Sequence, residues 1–89
     1  MNTENIGFVG LGRMGSRMAH RLVDSYSVFG TDKALSQKDM AEANDITWVD
    51  HSKSLASICR HIFIVAGSET DVTEIIFGKT GLIHGINSD

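Results

Sequence analysis

The chain has 89 residues, one cysteine, no proline, 42% hydrophobic residues and a formal net charge of −3, an ordinary composition for one small globular domain. That balance argues against general nucleic-acid affinity, and no apolar run approaches the roughly 20 residues that a membrane-spanning helix needs. The single Cys59 cannot close an internal disulfide, and the polar start Met1-Asn2-Thr3-Glu4-Asn5 lacks the form of a secretory signal, so a reducing, cytoplasmic setting is expected.

Residues 1–5 read as a frayed leader, and residues 6–9 as a first strand, apolar throughout as a strand covered on both faces should be. The strand stops at Gly10-Leu11-Gly12-Arg13-Met14-Gly15, after which a helix is expected over 12–24, with Gly15, Met18, Ala19 and Leu22 on one face. Strand, glycine turn and helix in that order give each glycine a separate duty. Gly10 allows the tight turn, Gly12 lets a pyrophosphate meet bare backbone, and Gly15 lets the helix lie close to the strand. Unpaired N–H groups at the helix start, with the positive end of its dipole, form an anion site. Arg13, Arg17 and Arg21 read as a solvated face, with Arg13 alone near enough to the anion site to touch a ligand.

Residues 26–31 form the expected second strand, in which Gly30 marks a bulge or a close ligand approach. Asp32 closes it, about 20 residues past the first glycine, where a carboxylate can accept both ribose hydroxyls of an adenosine. Lys33 beside it could tolerate a 2′-phosphate, so NADP stays open next to NAD. A helix over 34–43 stops at Asn44-Asp45, and 46–49 make a third strand. Asp50 or Ser52 is expected to cap a short helix carrying Leu55, Ile58 and Cys59. The unbroken apolar run at 61–66 reads as a fourth, central strand. Ser68 with Asp71 three residues on resembles a capping box opening a helix with Val72, Ile75 and Ile76, and Gly78 should end it as a left-handed cap. Residues 79–86 read as a glycine-punctuated turn and a short apolar segment. Strands alternating with helices predict βαβ units: an α/β, Rossmann-type doubly wound parallel sheet in the order 3-2-1-4.

Ile6-Gly7-Phe8-Val9-Gly10-Leu11-Gly12-Arg13-Met14-Gly15, then Met18-Ala19, Asp32-Lys33, the run to Ala66, and Val72 through Ile76-Phe77-Gly78 with Gly81-Leu82 resemble the amino-terminal half of the β-hydroxyacid dehydrogenase cofactor domain. That family includes 3-hydroxyisobutyrate dehydrogenase, tartronate semialdehyde reductase and, more distantly, 6-phosphogluconate dehydrogenase. The resemblance implies that Gly10, Leu11, Gly12, Arg13, Met14 and Gly15 hold the pyrophosphate and that Asp32 and Lys33 meet the adenosine ribose. It further implies that the loop after the fourth strand, with Ala66, Gly67 and Asp71, closes over the dinucleotide. Departures are Ala66-Gly67 where relatives carry Leu-Pro, and Asp24-Ser25 where they carry a glycine. The family's serine-glycine-glycine substrate motif and its catalytic lysine have no counterpart in residues 1–89.

Other routes to catalysis find no support in the sequence. His20, His51, His61 and His84 show no metal spacing, Cys59 reads as a small buried hydrophobe, and Lys53 and Lys79 lack a partner that would depress a pKa. No catalytic or metal-binding residue is therefore assigned. The expectation is the first part of an NAD(P)-binding domain, with the helical substrate domain absent, from an enzyme that oxidises a small 3-hydroxy acid. A stand-alone dinucleotide-sensing or subunit-interaction module, and the cofactor half of an imine or pyrroline-type reductase, are the alternatives. With later strands missing, the edge of the fourth strand should be open, which favours a homo-oligomer.

Overall fold

Alternation along β1 (Asn5–Val9) sorts the molecule into two layers. Ile6 and Phe8 join the core on one face of the sheet, while Gly7 and Val9 meet side chains on the other. The computed structural model describes residues 4–86, so the expected leader is described only at Glu4 and Asn5, and residues 87–89 also lie outside it. After β1 come α1 (Arg13–Leu22), β2 (Ser27–Thr31), α2 (Gln37–Ala43), β3 (Thr47–Trp48), α3 (Ser52–Ile58), β4 (His61–Ile64), α4 (Glu69–Phe77) and a 3-10 turn at Leu82–Gly85. The four strands lie in the order β3-β2-β1-β4, all paired in parallel, the order that the alternation of elements predicts.

One cluster, Ile6, Phe8, Leu11, Ala19, Val28, Ala41 and Ile46, lies beneath α1 and α2. A second, Val9, Leu55 and Leu82 with partly buried Ile62, Ile64, Ile75 and Ile76, lies beneath α3, α4 and the 3-10 turn. Phe8, Leu11, Ile46 and Leu55 are fully buried, each contributing roughly 1.5–3 kcal/mol. Buried Gly15 and Ala19 fall one helical turn apart, so small residues bring α1 down onto the strands. A Cβ at Gly15 would collide with the carbonyl oxygen of Gly10, which is why that position must be glycine.

Several local expectations are corrected. Gly30 is no bulge: it keeps regular register between Phe8 and Trp48, and the space over it is taken by the side chains of Leu11 and Ile46, not by a ligand. Gly78 ends α4 with φ −63°, not in the left-handed region; glycine is needed there because a Cβ would strike Glu74. Neither Asp50 nor Ser52 caps α3, since His51 occupies the cap position in extended backbone and its side chain accepts no cap bond. α1 stops at Leu22, whose carbonyl accepts from the N–H groups of Ser25 and Tyr26, and Met18 on its apolar face stays 39% exposed. α2 starts at Gln37, after a turn in which the Gln37 N–H donates to the Ala34 carbonyl. β4 is the edge of the described sheet: His61 and Phe63 are exposed and Ile62 and Ile64 half-buried. Two expectations hold in detail. Ser68 accepts a hydrogen bond from the Asp71 N–H at 3.1 Å, and Asp45, at φ 63°, turns the chain out of α2.

Gly15→Ala is expected to lower stability by about 1–3 kcal/mol in urea unfolding, although alanine is the better helix former, because the added methyl displaces α1 from the strand. A stability gain would contradict the contact.

Candidate functional site

In a parallel sheet every strand points its carboxyl end at the same edge, so the loops that follow the strands gather there. In this chain they enclose a cleft of about 500 Å³. Its walls include Gly10 after β1, Asp32 and Lys33 after β2, Asp50, His51 and Ser52 after β3, and Val65, Ala66 and Gly67 after β4. β1 lies between β2 and β4, so the connections from its two neighbours part on opposite sides and leave the crevice open above it.

The glycine loop is threaded tightly into this edge. Gly10 has φ 102°, a conformation that suits glycine alone, and a Cβ on it would collide with the carbonyl oxygen of Val65. Its N–H donates to the Thr31 carbonyl at 2.9 Å, and the Val65 N–H donates to Val9 at 2.8 Å. Leu11 then turns inward and is completely buried against Gly30 and Ile46, so its side chain is a plug in the core and faces no ligand. Its N–H points the other way and donates to Asp32 Oδ2 at 2.7 Å. Asp32 Oδ1 accepts from the Ala34 N–H at 2.8 Å. One carboxylate thus fixes both the glycine loop and the β2–α2 loop, while each oxygen keeps a further lone pair for a ligand hydroxyl.

Gly12 differs from its neighbours. It is exposed, it precedes α1 as the cap residue without a side-chain cap, and a Cβ on it would meet nothing within 4 Å. That open space beside the unsatisfied first-turn amides of α1 is what a bulky anion against bare backbone requires. Arg13 and Met14 are exposed at the same helix start, Met14 by 67%. Gly15 is buried and spends its missing side chain on helix packing. On the far side, Lys33 Nζ pairs with Asp71 Oδ1 at 3.4 Å, so the ammonium expected at the ribose is engaged by a carboxylate on α4.

The sequence reading does not place Trp48, His51, Thr80 or Gly81 at the cleft, although all four line it. For Trp48 and His51 the parallel-sheet rule holds the missing signal, since both adjoin the end of β3. Thr80 and Gly81 follow a helix and arrive through a tertiary tie, the Lys53 N–H donating to the Thr80 carbonyl at 2.8 Å. Among the described residues no three His, Cys, Asp or Glu side chains gather as a metal site would require. Cys59 is partly buried against Gly7, and burial pushes its thiol up to about 11, which keeps it protonated and a poor nucleophile at neutral pH.

A glycine loop, an acid at the end of the second strand and a crevice at the carboxyl edge of a parallel sheet together define a dinucleotide-binding module. The chain belongs to the family described as the NAD binding domain of 6-phosphogluconate dehydrogenase, which matches residues 5–89. It is 33% identical over 82 residues to a Bacillus subtilis (strain 168) protein named "Uncharacterized oxidoreductase YkwC", covering 91% of this chain and 28% of that protein. Over 82 residues it is 28% identical to an Arabidopsis thaliana protein named "Probable 3-hydroxyisobutyrate dehydrogenase-like 3, mitochondrial", covering 91% of this chain and 26% of the relative. The solved structure "Psf3 in complex with NADP+ and 2-OPP" shares the fold, with a TM-score of 0.82 at 24% identity over 92% of this chain and 30% of that one. This chain therefore spans only 26–28% of the length of these curated relatives. Among the described residues no helix is long and apolar enough to cross a membrane.

Two substitutions separate a position open to solvent from one that holds the fold. Gly12→Val should leave urea stability within about 0.5 kcal/mol yet abolish dinucleotide binding, because its side chain enters open space. Asp32→Ala should cost about 1–3 kcal/mol of stability without any ligand present, because two backbone donors lose a charged acceptor. Unfolding curves of the ligand-free proteins and calorimetric titration check both.

Proposed function

We propose that residues 1–89 form the first part of the cofactor domain of an NAD-dependent oxidoreductase acting on a small 3-hydroxy acid. The observation that carries this reading is the Asp32 carboxylate, which ties down the glycine loop at Leu11 beside the open backbone of Gly12. The relatives named as an oxidoreductase and as 3-hydroxyisobutyrate dehydrogenase-like proteins support the reaction class.

In this reading the amides of Gly12, Arg13 and Met14 receive the pyrophosphate, and the side chain of Arg13, exposed at the same helix start, adds a positive charge to theirs. Asp32 accepts the ribose hydroxyls with the lone pairs that its two backbone bonds leave over. Ala66 and Gly67, exposed at the end of β4, lie along the dinucleotide, and with no Cβ on Gly67 and open space around it the backbone there can approach closely. The nicotinamide, when bound, supplies the hydride chemistry. The group that moves the substrate proton belongs to a part of the enzyme outside residues 1–89, as the likeness to the family implies.

Calorimetric titration with NADH and NADPH, alongside Asp32→Ala, tests the assignment. Binding that favours NADH, with the preference lost in the variant, is the expected result; no binding of either nucleotide would overturn it. The reading also includes self-association through β4, whose outer edge is unpaired in the described sheet and exposes Phe63 by 42%. Sedimentation velocity should show a dimer that grows with concentration and is weakened by Phe63→Lys. A monomer at every concentration would sink that part.

A further inference from the structure

Lys33 is the only lysine or arginine among the residues lining the cleft, which it shares with the carboxylates of Asp32, Asp50, Asp71 and Glu74. Its ammonium reaches Asp71 Oδ1 at 3.4 Å, joining the β2–α2 loop to the first turn of α4. The two partners are unequal. Lys33 is 84% exposed on a flexible stem, whereas Asp71 is 39% exposed and held by its place in the helix. The Asp71 N–H donates to Ser68 Oγ at 3.1 Å, and a carboxylate in a first helical turn is favoured by the dipole. Asp71 is the fixed post, and Lys33 is what it holds.

We propose that Asp71 is a specificity-determining residue: by engaging Lys33 it withholds the cleft's one lysine from an adenosine 2′-phosphate and so biases the site toward the unphosphorylated dinucleotide. The inference rests on the dinucleotide reading above and adds a second discriminator to Asp32. Lys33 follows Asp32 directly in the chain and lines the same cleft, and it is the cation that Asp71 occupies. A 2′-phosphate entering this site meets the Asp32 carboxylate and must draw Lys33 off Asp71 to gain a counter-charge. Neutralising Asp71 removes that competition and leaves the ammonium free to turn toward the ribose. Because the pair is solvent-exposed, the effect is modest and falls with salt.

The test is titration of the 89-residue chain with NADH and with NADPH at low and high salt, in four proteins: wild type, Asp71→Asn, Lys33→Met and the double variant. Asp71→Asn should raise affinity for NADPH relative to NADH by about two- to fivefold at low salt, the range expected of an exposed ion pair. The gain should vanish in the Lys33→Met background. An unchanged NADPH-to-NADH ratio in Asp71→Asn overturns the proposal, as does an equal gain without Lys33, which would reflect only the loss of a negative charge. If wild type and variants alike bind neither nucleotide, the dinucleotide reading itself fails, an outcome distinct from NADH binding with an unmoved ratio.

Discussion

A buried plug and a carboxylate, acting on one residue, hold the rest of this molecule in order. Leu11 drives its side chain between Gly30 and Ile46, and its N–H is captured by Asp32. The hydrophobic contact fixes the depth of the glycine loop, and the charge-assisted bond fixes its orientation. Without the first the loop would have nothing to seat it on the sheet, and without the second a buried residue would carry an unanswered donor next to the crevice. The same carboxylate organises the start of the β2–α2 loop through Ala34, so fold and site share one anchor.

The glycines of the motif divide their labour along that anchor. Gly10 and Gly15 are required by the protein itself: carbonyl oxygens of Val65 and Gly10 stand where their side chains would be. No described residue crowds Gly12, and space stands open over it. The fold thus accounts for two of the three glycines, and the proposed contact with a pyrophosphate would account for the third.

Most of the architecture was legible because periodicity is local. The apolar runs at 6–9 and 61–66, the second of which is strand only at His61–Ile64, and the helical spacing of Gly15 and Ala19 are written within a few residues, and from them the parallel order of four strands follows. The capping bond between Ser68 and Asp71 was readable for the same reason, a separation of three residues. What the sequence hid depends on tertiary approach. Gly30 is an exchange of volume with Leu11 and Ile46, Gly78 an exchange with Glu74, and neither neighbour can be named before the chain is folded. The bond from Leu11 to Asp32 spans 21 residues and the pair of Lys33 with Asp71 spans 38, so these residues could be singled out one by one while their mutual contacts could not. The family resemblance put Leu11 among the residues at the pyrophosphate; its side chain lies in the core, a placement that no local pattern announced.

Trp48 stands in the cleft wall, and the sequence contains no other tryptophan. Its indole N–H donates to Asp50 at 3.2 Å, so the ring is tethered at its polar edge and half-buried along its apolar body. An indole held in this way changes its emission when water leaves the wall beside it. The molecule therefore carries a single indole, situated at its crevice, so that emission excited selectively in tryptophan arises at the cleft wall alone.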